Sequence, residues 1–170
     1  MRARSVIATV AVCGAAGVLG SGALANGQPG SSAQSATQGK QGANSAFFAV
    51  LSGRKEVNDQ GRRGAGDLDG RGSFTATIDG NDLCFGITVK NLDDPVAAHI
   101  HKGGPRRNGD VVVPLVEPDE GDPGASSGCV EVSTDLAKAI TRNPAKYYAN
   151  VHTTEFAGGA VRGQLFGLSR

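Results

Sequence analysis

The sequence SFTATIDGNDLCFGITV, residues 73–89, contains the strongest local fold signal in the chain. Apolar and polar residues alternate on both sides of its centre, which is the pattern of a β-strand with one buried face. Residues 79–82 contain an Asp-Gly pair, which is typical of the tight turn in a β-hairpin. The stretch therefore predicts two antiparallel strands, whose core-facing residues are Phe74, Ala76, Ile78, Leu83, Phe85, Ile87 and Val89.

Outward from this hairpin, short apolar segments are separated by glycine, proline and asparagine, and 26 of the 170 residues are glycine. These segments are residues 46–51, 97–101, 110–116, 129–132, 147–153 and 160–168. About seven short strands with turn residues between them predict an all-β, antiparallel β-sandwich or barrel. Residues 117–128 are predicted to be a surface loop, and Pro114 indicates an edge strand or a bulge. One short helix is expected near residues 134–141, capped by Ser133 or Thr134.

The N-terminus has the plan of a secretory signal peptide. A basic start precedes an apolar stretch over residues 6–19 and an Ala-Leu-Ala sequence at residues 23–25. We therefore expect a signal peptide at residues 1–25, a disordered Gly/Ser/Gln linker at 26–44 and a folded domain at 45–170. An uncleaved anchor is the alternative, although the apolar stretch is shorter than the ~20 residues that span a bilayer. We expect no membrane span after cleavage and a secreted, extracellular protein.

Charge and cysteine content limit the partners. Removing Arg2 and Arg4 from 17 basic residues leaves 15 against 16 acidic residues, a net charge of −1. This balance predicts neither nucleic acid nor an anionic membrane surface as a partner. Cys13 leaves with the signal peptide, and an exported chain with two remaining cysteines favours a disulfide between Cys84 and Cys129.

The three histidines of the chain are the candidate site residues. His99 and His101 are two residues apart on one predicted strand and share a face opposite the apolar Ala98 and Ile100, whereas His152 lies on another strand. Three imidazoles can hold copper or zinc if these strands are close together. Alternatively, the histidines hydrogen-bond nearby loops and have a structural role.

Other polar residues have open roles. Tyr147, Tyr148 and Asn150 are candidates for a recognition face beside His152, although Tyr147 can also belong to the core. Arg162 either pairs with an acid near the histidines or anchors a loop. The one G-x-S-x-G match, GASSG at residues 124–128, lies in a predicted turn-rich loop with no adjacent base rather than at a strand-to-helix turn. No phosphate-binding glycine loop precedes a helix, so hydrolase and transferase chemistry is not supported.

Five motifs follow one another over most of the chain: LSG at 51–53 with EV at 56–57, AHIH at 98–101, NGDVVVPL at 108–115, YANVHT at 148–153 and GGAVRGQL at 158–165. Residues 46–168 thereby resemble the CHRD (chordin-type) domain. That family occurs in chordin, an extracellular antagonist of bone morphogenetic proteins, and in exported bacterial proteins. The resemblance implies an immunoglobulin-like β-barrel of about seven to eight strands, distantly similar to copper/zinc superoxide dismutase.

Dismutases have an H-x-H strand, a later Val-His strand and a glycine-flanked arginine, and His99, His101, His152 and Arg162 follow the same order. They also use further histidines, which this chain lacks, so dismutase turnover is not expected. The preferred hypothesis is a secreted, non-enzymatic CHRD module that binds an unknown extracellular protein or matrix partner. The alternative is a mononuclear copper or zinc protein with His99, His101 and His152 as ligands. In either case Asn150 and Arg162 are expected to support the site or the fold.

Overall fold

The computed structural model describes residues 44–119 and 124–168 and shows an antiparallel, nearly closed β-barrel with one short helix. The elements are β1 (Ser45–Ser52), β2 (Arg71–Asp79), β3 (Asp82–Lys90), β4 (Pro95–Lys102), β5 (Val111–Leu115), β6 (Gly124–Glu131), α1 (Thr134–Arg142), β7 (Tyr147–Thr153), β8 (Val161–Gln164) and β9 (Phe166–Gly167). The predicted signal peptide and nearly all of the predicted linker lie outside the described residues.

The strands follow the order β5-β4-β7-β8-β1-β2-β3-β6, and β9 also pairs with β1. Strands β5 and β6 are therefore the two edges of the sheet. Near these edges the Ser126 hydroxyl donates a hydrogen bond to the Val116 carbonyl oxygen over 2.8 Å. This contact links the two edges and leaves the barrel nearly closed.

The predicted hairpin is confirmed. Strands β2 and β3 pair in continuous register from Arg71↔Lys90 to Asp79↔Asp82. Gly80, in the turn, has a φ of 59°, a conformation that glycine adopts without steric cost. All seven of the alternating apolar residues are buried in the barrel interior. Burial of this face fixes the register, because a slip of one residue would move every one of these side chains to the solvent.

Helix α1 packs against the same apolar core. Its N-terminus is capped by Ser133, whose hydroxyl accepts a hydrogen bond from the Leu136 N–H over 3.2 Å. Ala137 and Ile140 are buried one turn apart and belong to the core cluster of the barrel. Over residues 44–119 and 124–168, no helix combines the length and apolar character needed to cross a membrane.

Two predicted segments differ from the structure. Residues 124–128 belong to β6 rather than to a loop, and they pair with β3 through their backbone. Since β6 is an edge strand with no buried residue, its sequence does not need the apolar alternation that marks an interior strand. Residues 160–168 form two strands, because the Leu165 N–H leaves the ladder with β1 and donates to the Tyr147 carbonyl oxygen over 2.9 Å.

The predicted disulfide is present between Cys84 of β3 and Cys129 of β6. The two residues lie directly opposite each other in the antiparallel ladder, with their Cα atoms 3.9 Å apart. The disulfide therefore fastens the edge strand β6 to its neighbour in the sheet.

Replacing both cysteines, Cys84→Ser with Cys129→Ser, should lower the free energy of unfolding. The sequence separation is 45 residues, and constraining a loop of that length in the unfolded chain contributes about 3–4 kcal/mol. Urea unfolding followed by circular dichroism measures the loss. A reducing agent should produce the same loss in the wild-type protein and none in the double variant. A loss below about 1 kcal/mol would contradict this role of the disulfide.

Candidate metal centre

The site lies on the outer face of the three neighbouring strands β4, β7 and β8. Two rows of directly opposed residues cross these strands, His99–Asn150–Arg162 and His101–Tyr148–Gln164, and His152 lies opposite Ala97. Opposed residues in antiparallel strands project from the same face of the sheet. The strand register therefore gathers three histidines, a tyrosine, two amides and an arginine on a single surface.

This outer surface is largely covered. The exposed fraction is 1% for Arg162, 2% for Asn150 and 3% for Tyr148. His101 is 8% exposed, whereas His99 and His152 are half-buried. The prediction that Ala98 and Ile100 face the core is confirmed. The expectation that both histidines of β4 lie away from the core is also correct, but one of them is buried under loops outside the barrel.

The three histidines converge. Their ring centroids are 5.0 Å apart for His99 and His152, 5.4 Å for His99 and His101, and 5.9 Å for His101 and His152. One nitrogen from each ring can be chosen so that all three lie within 4.8 Å of one another. The sequence condition for a shared site, that β7 lies beside the histidine strand, is therefore met.

Hydrogen bonds to loop carbonyls fix two of the imidazoles. His101 Nδ1 is 2.9 Å from the Gly109 carbonyl oxygen, and His152 Nδ1 is 2.9 Å from the Ala157 carbonyl oxygen. A carbonyl oxygen only accepts, so each Nδ1 carries the proton and donates it. When the rings are neutral, the Nε2 atom of each of these two histidines therefore carries a lone pair.

These lone pairs have different surroundings. His99 Nδ1 lies 3.1 Å from His152 Nε2, where it must be the donor. The Nε2 atom of His101 is buried and has no hydrogen-bond partner in the described part of the chain. A buried polar atom without a partner is uncommon, because its desolvation is not compensated. The His101 lone pair points to a ligand that the protein itself does not supply.

Electrostatics favour neutral imidazoles. Burial lowers the pKa of His99, and the neighbouring His152 and His101 lower it further. Burial is also the main reason why the pKa of His101 is lowered. Both shifts leave the rings in the neutral form that binds a metal ion.

Tyr148 separates the histidines from Arg162. Its ring lies parallel to the His101 ring, with centroids 4.8 Å apart, and the guanidinium carbon of Arg162 lies 3.4 Å from the centroid of the Tyr148 ring. The two arginine NH₂ groups donate to the Asn108 amide oxygen and to the carbonyl oxygens of Gly104 and Arg107, each over 3.2 Å. Arg162 therefore anchors the loop after β4, and within residues 44–119 and 124–168 no ion pair joins it to an acid beside the histidines.

Glu56 belongs to this buried layer and was not singled out as a site residue by spacing or charge pattern. It is 1% exposed and accepts a short hydrogen bond from the Asn150 side-chain amide. Burial raises the pKa of Glu56 to about 7, against the opposing effects of the nearby Arg162 charge and of the Asn150 hydrogen bond. Its only sequence signal is the Glu-Val pair of the family resemblance, since a single acid in a charged loop is otherwise unremarkable.

Gly159, in the loop after β7, lies directly against the buried side chains of Glu56 and Asn150. A Cβ atom there would lie 2.7 Å from Asn150 Nδ2 and 2.8 Å from Glu56 Oε1, and its φ of +133° is rarely adopted by other residues. Only glycine lets the loop pass this close to the Glu56–Asn150 pair. Asn150 therefore supports the loops around the site rather than hydrogen-bonding a histidine. Tyr147, by contrast, is part of the apolar core.

A family model for the CHRD domain matches residues 47–165, which is more than half of the chain. The chain belongs to the CHRD domain family. The matched segment of this CHRD module contains all three histidines together with Glu56, Tyr148 and Arg162. Comparison of the chain with curated proteins gives no match.

The stability of the module should depend on pH through Glu56. Its pKa is raised from 4.5 to about 7 in the folded state, so between these values the folded chain binds more protons than the unfolded chain. The contribution of Glu56 to the free energy of unfolding should therefore fall as pH rises from 4.5 to 7, by an amount on the order of 3 kcal/mol. The lowered pKa values of His99 and His101 act in the opposite direction, so the Glu56 contribution is read from the difference between the wild type and Glu56→Gln. Denaturant unfolding at a series of pH values measures this slope.

Glu56→Gln should flatten the slope, because glutamine keeps the acceptor for Asn150 and does not titrate. The matched control is Glu155→Gln, which changes an exposed glutamate in the loop after β7. A wild-type slope that persists in Glu56→Gln would show that another group is responsible.

Proposed function

We propose that this CHRD module binds one copper or zinc ion through His99, His101 and His152. The observation that supports this most directly is the buried Nε2 atom of His101, which lacks any hydrogen-bond partner in the described residues. Bound to a metal ion, this lone pair would be satisfied. The proposal adopts the ligand set suggested by the sequence and gives it a physical reason.

The distances are compatible with coordination. Tetrahedral zinc with imidazole ligands places the ligand nitrogens about 3.3 Å apart. His99 Nδ1 and His152 Nε2 are already 3.1 Å apart, and the whole set lies within 4.8 Å. The half-buried ring of His99 would move toward the buried His101, and His99 would shift its proton from Nδ1 to Nε2.

The surroundings resemble the outer shell of a metal site. Histidine ligands commonly donate their second ring N–H to a carbonyl or a carboxylate, which orients the ring. His101 and His152 do this with the carbonyl oxygens of Gly109 and Ala157. The stacked Tyr148 ring further restricts rotation of the His101 imidazole. Two of the three ligands are thus held in place before an ion binds.

Three neutral imidazoles suit both copper and zinc. In the described residues the cluster contains the three histidines and no carboxylate. A bound ion would keep at least one coordination position for water or another ligand, and it would supply a Lewis acid or, for copper, a redox centre. The chain has no further histidine for a second metal. We therefore propose a metal-binding, non-enzymatic module rather than a dismutase.

We also propose that the module is secreted. The Cys84–Cys129 disulfide supports an oxidising compartment, and CHRD domains occur in extracellular proteins. An unidentified extracellular protein or matrix component is then the expected partner.

Metal analysis of protein purified without a polyhistidine tag tests the binding proposal. After loading with Cu²⁺ or Zn²⁺ and dialysis, the wild-type protein should retain about one ion per chain. His99→Ala and His152→Ala change half-buried residues and should each weaken binding by more than the roughly 10- to 100-fold that losing an outer-shell partner costs. Isothermal titration calorimetry measures the affinities.

Lys102→Gln is the matched control, because this residue is exposed on the histidine strand and does not belong to the cluster. Circular dichroism verifies that each variant is folded. Substoichiometric metal in the wild type, or equal retention by the histidine variants, would refute the proposal and assign the histidines a structural role.

A further inference from the structure

A second concave site is lined in part by Arg162, the residue whose guanidinium lies over the Tyr148 ring. It is a cavity of about 190 Å³ that is separate from the histidine cluster. The residues that line it are Lys55, Arg63, Pro105, Arg162, Gln164 and Phe166. Three of these six residues are cationic and none is acidic.

Within the part of the chain that the structure describes, no ion pair joins these three cations to a carboxylate. The Lys55 ammonium donates to the Val50 carbonyl oxygen over 2.7 Å, and Arg162 donates only to carbonyl and amide oxygens. The Arg63 side chain has no hydrogen bond or ion pair to another residue in the described ranges. Its planar guanidinium is therefore available for bidentate hydrogen bonding to an oxyanion.

The cations act on one another. Arg63 lowers the pKa of Lys55 and also that of Arg162, although burial is the larger cause in both groups. The carboxyl of Glu56 has the opposite effect on Arg162, but it does not line this cavity. Like charges that share a concavity are unfavourable unless an anion joins them, and low-dielectric walls concentrate their field at the opening.

The cavity also has apolar walls. Phe166 is 57% exposed although it is a large aromatic residue, and Pro105 is exposed as well. Since one water occupies ≈ 30 Å³ of liquid, the cavity has room for about six waters or for a small organic anion. A purely inorganic ion would make no apolar contact with the exposed Phe166 ring.

We propose that this cavity binds an organic oxyanion, a carboxylate or sulfate attached to a small apolar group. Arg63 and Lys55 contact the anionic oxygens at the opening, and Arg162 supplies a fixed positive charge at the inner wall. The Phe166 ring and Pro105 contact the apolar group. The lining of this cavity and the histidine cluster share no residue, so we expect the anion to bind without metal.

Titration of the purified, chelator-treated protein tests this assignment. Benzoate and phenyl sulfate are the probes, and acetate, inorganic sulfate and inorganic phosphate are compared with them at constant ionic strength. Isothermal titration calorimetry should give saturable binding of one aromatic anion per chain, and NMR should show shifts of the Phe166 ring signals. The ratio of the benzoate to the phenyl sulfate affinity distinguishes carboxylate from sulfate as the preferred group.

Arg63→Gln and Lys55→Gln should each weaken binding of the aromatic anions about five-fold, the loss expected for one partly solvated ion pair. Arg62→Gln is the matched control, because it removes an exposed charge from the same loop without lining the cavity. Equal weakening in all three variants, absence of saturable binding, or equally tight binding of inorganic sulfate or phosphate would overturn the proposal.

Discussion

The stack of the His101 imidazole, the Tyr148 ring and the Arg162 guanidinium is the contact on which the rest of the outer face depends. It joins one residue from each of the strands β4, β7 and β8, and it exists only in the observed register. A one-residue slip of β7 would turn Tyr148, Asn150 and His152 into the apolar interior. Packing of the barrel core and assembly of the polar layer therefore select the same strand pairing.

Placing a charged guanidinium under loops requires compensation, because a buried charge without partners is strongly destabilising. Arg162 meets this requirement with three oxygen acceptors and the face of an aromatic ring, and Glu56 lies close enough for its charge to act on the arginine. The acceptors come from the loop between β4 and β5, and Glu56 comes from the segment after β1. The arginine thereby fastens the loop between β4 and β5 to strand β8.

The loops over this outer face border two regions with different chemistry. On one side of Tyr148, carbonyl groups of two loops orient the histidines and leave a buried nitrogen lone pair without a partner. The basic cavity with its exposed aromatic wall contains Arg162, which stacks on Tyr148. A metal ion suits the first region and an organic anion the second. Among the described residues, neither the histidine cluster nor the lining of the cavity includes a carboxylate.

The sequence by itself determined the barrel class, the β2–β3 hairpin, the helix after Ser133 and the disulfide, since alternation, turn residues and caps are local properties. The histidines were found because three imidazoles in a chain of this size are conspicuous, and Arg162 was found because glycines flank it. Residues 124–128 were not predicted to be a strand, because an edge strand needs only backbone pairing and its side chains need not alternate. Only the tertiary structure decided that His152 reaches His99, that Tyr148 separates Arg162 from His101, and that Glu56 is buried beside Asn150. These contacts join residues as many as 94 positions apart, and long-range register and loop packing leave no periodic signal in the sequence.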